Sequence, residues 1–398
     1  MVDGERDALM SEPHGMYEAA RRQDGLTFVP ALDAWLVSRY DDVRAALRDT
    51  ENFSSAIALR PGTTPDPAAF AELAKAPGGG PIVVSTDGEL HLRLRAPLTR
   101  ALSGSRVQAV LPYVRERAEA LADAFAGDDG VELMGAFARP LPAQVIAHMI
   151  GLDPEESAIV IAAGARAEEL LFRPLPVAEQ VEAAREVAGA MRIFDGLVER
   201  RTREPRDDIA SELIAALGEP TPETRATLVS NLQNLLLAGH VTTTSLIGTA
   251  VLNLLRHREQ WELLCERPSL IPAAVEEAAR FEAPVQGTYR LTTRPVTFAG
   301  TDLPAGAAVL LAFGSAGRDE NRYERAGEFD ITRAAERNIS FGHGVHACPG
   351  SQLGREEARI ALEVLTRRFP GLRPASDEPV EMLPTLVHRS PRELRLTW

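Results

Sequence analysis

Two spacings of apolar residues divide this chain. From about residue 89 to 280 they recur at helical intervals, while residues 25–40 and 284–312 alternate at spacing two. The first alternating stretch reads as a short β-hairpin and the second as short strands with turns. Residues 41–48 read as a helix. Residues 55–88 carry Pro61, Pro65, Pro67, Pro77, Pro81 and the triplet Gly78-Gly79-Gly80, and read as a long loop. The longest helix runs from Thr221 to about Glu259, with Pro222 and Glu223 suited to its first turn. Its middle, LVSNLQNLLLAGHVTTTSLIGTAVLNLL, is apolar on nearly every face, the mark of a helix buried at the centre of a large fold. One more helix follows Cys348, and TLVHRSPRELRLTW at the end reads as a small hairpin. There is no internal repeat and no low-complexity linker.

Composition narrows the partners. The 398 residues are 45% hydrophobic and 25% charged, with a net charge of −14. That balance argues against nucleic acid or an anionic membrane as the main partner. Two cysteines, Cys265 and Cys348, cannot build a disulfide framework and fit a reducing compartment. The charged N-terminus resembles neither a signal peptide nor an anchor, and no apolar run approaches membrane-spanning length. The expectation is a soluble, cytoplasmic, monomeric protein.

The sequence FGHGVHACPG, Phe341 to Gly350, carries the chemistry. A lone cysteine is usually a small buried hydrophobe. Here Gly342, Gly344 and Gly350 free the backbone to turn and to approach a ligand closely. Cys348 lies just ahead of a helix N-terminus, where backbone N–H groups stabilise a thiolate. Such a thiolate is a nucleophile, a redox centre or a metal ligand, and the residues alone leave the three open.

The stretch resembles the heme-binding loop of the cytochrome P450 family, Phe-x-x-Gly-x-His-x-Cys-x-Gly, matched by Phe341, Gly344, His346, Cys348 and Gly350. The resemblance covers about residue 25 to the C-terminus and is of the soluble bacterial type. It implies a mainly α, triangular helical fold with a small β-rich part, residues 1–398 forming one catalytic domain. It implies heme b with Cys348 as the proximal thiolate, which pushes electron density onto iron and favours O–O cleavage. Glu277 and Arg280, read alone, are a surface pair at i, i+3. The resemblance makes them, with Arg333, a buried structural set behind the heme loop. His91 and Arg95 share a helical face; with Arg290 and His346 they are the implied partners of the two heme propionates.

The segment LLLAGHVTTTS, Leu235 to Ser245, is similar to the family's oxygen-activating helix. Ala238 and Gly239 are small enough to pass over a heme face. Thr242 matches the threonine that orders water beside bound oxygen. The family usually has Asp or Glu just before it, and this chain has Val241. Valine cannot carry a proton, although O–O cleavage consumes two. Three accounts follow. Water, Thr242, Thr243 or a substrate hydroxyl delivers protons to a monooxygenase, with His240 a weaker relay. The chemistry is instead coupling, cyclisation, or a reaction with peroxide or nitric oxide. Or the protein binds heme and gas without turnover.

No flavin or dinucleotide motif is present, so the resemblance implies an external ferredoxin and ferredoxin reductase. Arg93, Arg100, Arg355 and Arg359 are candidates for a positive docking face. Substrate contacts are expected from residues 55–85, from Leu170, Leu171 and Phe172, from Asn234, Leu237, Ala238 and Val241, and from Val285, Gln286, Gly287 and Leu386. Such a lining suits a mid-sized, mostly apolar small molecule, hydroxylated or epoxidised in secondary metabolism.

Overall fold

A computed structural model describes residues 10–334, 338–383, 385 and 388–398. The chain divides into two compact units. One holds the chain up to Ala58, then Leu111–Leu141, then Val241 onward; the other holds Leu59–Val110 and Pro142–His240.

All described strands lie in the first unit. They are β1 (Thr27–Val29), β2 (Ala34–Val37), β3 (Phe53–Ser54), β4 (Val131–Glu132), β5 (Thr288–Thr292), β6 (Val296–Phe298), β7 (Thr301–Leu303), β8 (Ala308–Leu311), β9 (Arg373–Pro374) and β10 (Arg395–Thr397). The main sheet has the order β1-β2-β8-β5-β3. β1 and β2 form the expected hairpin, with Thr27 opposite Leu36. β2 then runs parallel to β8, and β8 antiparallel to β5. Successive side chains on β2 and β8 enter different cores, as strand geometry requires. Leu36 and Leu310 join Tyr17, Val29 and Leu32. Val37, Val309 and Leu311 join Val43, Leu47, Phe53 and Ile339. Ile339 thus ties the start of the Cys348 loop to the sheet and to the Tyr40–Arg48 helix.

The second unit is helical. Pro154–Phe172 packs against Val177–Arg203, and the short helix Pro67–Leu73 packs on the latter. Their shared core is made of small residues, Ala69, Ala167, Ala183 and Ala184, with Leu170 and Val187. Gly88–Ala101 packs against Ile209–Leu217.

Four expectations change. The 55–88 stretch contains the Pro67–Leu73 helix, started by Asp66, whose side chain accepts from the Ala68 N–H, and by Pro67 at the first position. The long helix spans Pro222–Arg256; it ends before a separate helix, Arg258–Glu266. It is also long and apolar enough to cross a membrane, contrary to the reading of the sequence, but 78% of its apolar window is buried inside the protein. The terminal hairpin sits earlier than expected, at the antiparallel Met382–Pro391 bridge, and β10 instead pairs with both β4 and β9.

Candidate heme-thiolate site

The Cys348 loop is built by two short 3₁₀ turns. Asn338 caps the first, Ile339–Phe341, by accepting from the Ser340 N–H at 3.0 Å. The second, Gly344–His346, begins at a residue with φ +73°, and a Cβ there would lie 2.5 Å from the Leu47 carbonyl oxygen. Only glycine fits both demands. The Cys348 N–H donates to the Phe341 carbonyl at 2.8 Å, closing the loop. The chain then enters the helix Ser351–Arg368 through Gly350 at the N-cap. Cys348 is left exposed, whereas Cys265 is partly buried and its thiol is pushed up by burial.

Behind the loop, Glu277 and Arg280 form a two-pronged pair, Nε to Oε2 and Nη2 to Oε1, both 2.7 Å, with each side chain 3% exposed. Arg280 also donates to the carbonyls of Gly317, Ala326 and Glu328. Arg333 reaches Glu277 at 3.2 Å. A buried carboxylate with this many donors is a brace whose charges are compensated locally.

The expected propionate partners fall in both units. In the first, His346 Nε2 lies 2.9 Å from the hydroxyl of buried Ser55. Arg290, on β5, is 4% exposed and donates to its own neighbours, Thr288 Oγ1 and the Tyr289 carbonyl. In the second, His91 is buried on the Gly88–Ala101 helix with Arg95 one turn on. Burial, then the Arg95 charge, hold the His91 pKa down, with Asp87 opposing. An anionic ligand beside this pair would offset both effects.

The long helix places its polar residues unequally. In the second unit, Ala238 is exposed, but Gly239 faces the Pro140–Ile150 helix, where a Cβ would meet Ile146 at 2.6 Å. Gly239 therefore serves helix packing rather than an open face. His240 is buried, with Nδ1 2.8 Å from the Leu236 carbonyl and its ring beside Gly164, which turns it into the helical core. In the first unit, Val241 is buried and its carbonyl accepts from Ser245 Oγ at 3.0 Å. Thr242 is half-buried. Thr243 points the other way, towards the Ser351–Arg368 helix, where a Cβ on Gly354 would lie 3.3 Å from its hydroxyl.

That helix carries a residue the sequence reading missed. Glu357 is 1% exposed, and neither carboxyl oxygen makes a hydrogen bond of good geometry. Burial pushes its pKa up to about 8, opposed by a hydrogen-bonding contribution from Thr243. The burial fixes the direction of the shift. An acid one turn from a glycine facing Thr243 is a signal only once the two helices are known to meet.

The loop and helix segments expected to contact substrate do come together within the second unit. The Gly62 N–H donates to the Leu171 carbonyl at 2.8 Å, and Thr63 Oγ1 to the Leu170 carbonyl. Asn231, also missed, pins the loop to the long helix: its Nδ2 donates to the Pro81 carbonyl and its Oδ1 accepts from the Val83 N–H. Leu171, Phe172, Asn234 and Leu237 are half-buried, Leu237 against the small-residue core. In the first unit Val285 is half-buried against the sheet core. Gln286 needs correcting as a wall residue. It is 0% exposed, donates to the Ala283 carbonyl and packs where Gly314 leaves room, so it braces the turn into β5. Leu386 lies outside the described residues.

The model of the cytochrome P450 family matches residues 174–397. Cytochrome P450 107B1 of Saccharopolyspora erythraea is 35% identical over 93% of this chain and 91% of its own length. Mycinamicin IV hydroxylase/epoxidase of Micromonospora griseorubida is 34% identical, covering 92% and 90%. The solved structure of cytochrome P450 CREJ in complex with (4-ethylphenyl) dihydrogen phosphate superposes with a TM-score of 0.90, at 30% identity and over 98% of each chain. The chain belongs to the cytochrome P450 family.

It is thus a heme-thiolate monooxygenase with the P450 fold and heme b as its cofactor. The relatives named as hydroxylases and epoxidases do not favour the coupling or gas-binding accounts. The residues present fit the group. Heme brings four nitrogens of its own, so the protein has to supply a soft sulfur and cationic donors for two carboxylates. An exposed thiol on a glycine-bearing loop, and His and Arg side chains withdrawn from bulk water, are such a set.

Proposed function

We propose that Cys348 ligates the heme iron, framed by Phe341 and Gly350, and that His91, Arg95, Arg290 and His346 hold the propionates. The observation that carries this reading is the Cys348 thiol, exposed on a loop that Gly344 alone can close against Leu47. Bound heme supplies oxygen activation. Thr242 orders water at the reacting face, with Ala238 leaving space there. Glu277, Arg280 and Arg333 keep the loop in place and take no part in the chemistry. Val241 removes the usual acid, so ordered water and the Thr242 hydroxyl deliver the protons. The two units act as one catalytic domain in a cytoplasmic monomer.

Electrons come from a ferredoxin and its reductase. Of the arginines first considered for docking, Arg100 pairs with Glu212, Arg355 with Glu276, and Arg359 with Glu356 and Glu363. Arg44 and Arg48, exposed beside His343 in the loop that carries exposed Val345, are better placed for an acidic partner. The substrate is a mid-sized, mostly apolar natural-product scaffold, hydroxylated or epoxidised in secondary metabolism. Two relatives, named for mycinamicin IV and 6-deoxyerythronolide B, support this size class. Titrating the ferric protein with a panel of such scaffolds tests it: the expected result is a saturable shift of the Soret band towards high spin, followed by an oxygenated product with a surrogate ferredoxin. Turnover confined to peroxide or nitric oxide would overturn the monooxygenase reading.

A further inference from the structure

Arg355 is held inward by three tethers in the first unit. Its guanidinium carbon stands 3.9 Å from the centroid of the Phe341 ring. Its Nε and Nη2 both reach the Glu276 carboxylate, and Nη1 donates to the Ser351 carbonyl at 3.1 Å. The pair is mostly withdrawn from water, with side chains 28% and 18% exposed, so solvent screens it less than an ordinary surface pair. Glu276 also accepts from Asn338 Nδ2 at 3.1 Å, and Asn338 is the cap of the turn that ends in Phe341. Neighbouring acids on the Ile271–Phe281 helix have therefore divided the work. Glu277 compensates Arg280, while Glu276 touches both ends of the segment that carries Cys348.

This arrangement places a full positive charge against the ring of the residue whose carbonyl receives the Cys348 N–H. Reduction from ferric to ferrous takes one electron from the external donor and makes the site more negative by one unit. A nearby cation favours that change, and the more so where the medium between them is apolar. A flat guanidinium stacked on a ring also fixes where that charge sits, which an ammonium cannot do as well.

We propose that Arg355 is a positioning residue that raises the reduction potential of the iron bound at Cys348, and that Glu276 governs how much of its charge the loop feels. The proposal rests on Cys348 as the iron ligand. The test is a spectroelectrochemical titration of the heme-loaded protein with small mediator dyes, which removes partner docking from the readout. Relative to wild type, Arg355→Gln shifts the midpoint to more negative potential. Glu276→Gln, which uncovers the guanidinium, shifts it to more positive potential. Arg355→Lys falls between wild type and Arg355→Gln. Unchanged midpoints in the two Gln variants, or shifts of the same sign in both, overturn it, since a loosened loop would move both one way. If Arg355→Gln fails to load heme, Arg355→Lys and Glu276→Gln still decide by their opposite signs. The carbon monoxide spectrum of each reduced sample reports thiolate ligation. Its absence in wild type would sink the Cys348 assignment instead, so the two failures are distinct.

Discussion

Glu357 is buried beside Thr243 inside the first unit, and burial, opposed by the Thr243 hydroxyl, pushes its pKa up to about 8. The sign of the stability effect follows from that shift. The folded value lies above the ordinary 4.5, so the stabilising contribution is fully present below about pH 4.5 and is lost as pH rises to about 8. Glu357→Gln keeps the shape without the titration. The expectation is that melting temperatures of wild type fall relative to Glu357→Gln between pH 5 and 8.5, by an amount bounded at roughly 1.4 kcal/mol per pKa unit shifted. A parallel pair of pH–stability curves would show that Glu357 does not titrate in this range.

Gly344 is a sharper test of the loop. Alanine there meets both a left-handed backbone, φ +73°, and the Leu47 carbonyl at 2.5 Å. Each penalty is about 1 kcal/mol or more, and the backbone of the Tyr40–Arg48 helix has little freedom to retreat. Gly344→Ala should lower the melting temperature by several degrees and reduce heme content on purification. Gly127→Ala, in open space, is the control and should do neither. Equal behaviour of the two variants would mean that the loop is less tightly fitted than its geometry implies.

Removing one partner of the Glu277–Arg280 pair leaves a charge stranded in a site where both side chains are 3% exposed. Such losses cost about 3–5 kcal/mol. Arg280→Ala is therefore expected to be recovered mostly as aggregated or heme-free protein, and Arg280→Lys to recover only part of the soluble yield, since a lysine cannot reach three carbonyls and a carboxylate together. Heme content per polypeptide after purification is the measurement. Full loading of Arg280→Ala would make the brace dispensable.

How much of this was readable in the sequence depends on range. The β1–β2 hairpin and the long central helix follow from local period, and the Cys348 loop from a contiguous motif. The Pro67–Leu73 helix was masked by surrounding prolines and glycines, although Asp66-Pro67 is a start signal. Gln286 looked like a polar wall residue because sequence gives no burial; its amide is spent on the Ala283 carbonyl. The C-terminal strand finds β4 far back in the chain, and no local turn announces that. Glu357 and Glu276 were invisible for the same reason. Each reads as one acid on the solvated face of an amphipathic helix until a second helix or a loop is packed over it.

Val241 is where this chain departs from its family pattern, and its surroundings define what restoring an acid would do. The side chain is buried, and the next turn is already held by Ser245 Oγ on the Val241 carbonyl. A glutamate at this position enters an apolar site, so its own pKa would rise and it would carry a proton at neutral pH. Val241→Glu is thus expected to change the fraction of reductant that ends in product far more than the substrate dissociation constant read from the Soret shift. Unaltered coupling in Val241→Glu would remove this position from proton delivery and leave ordered water and the Thr242 hydroxyl to account for it.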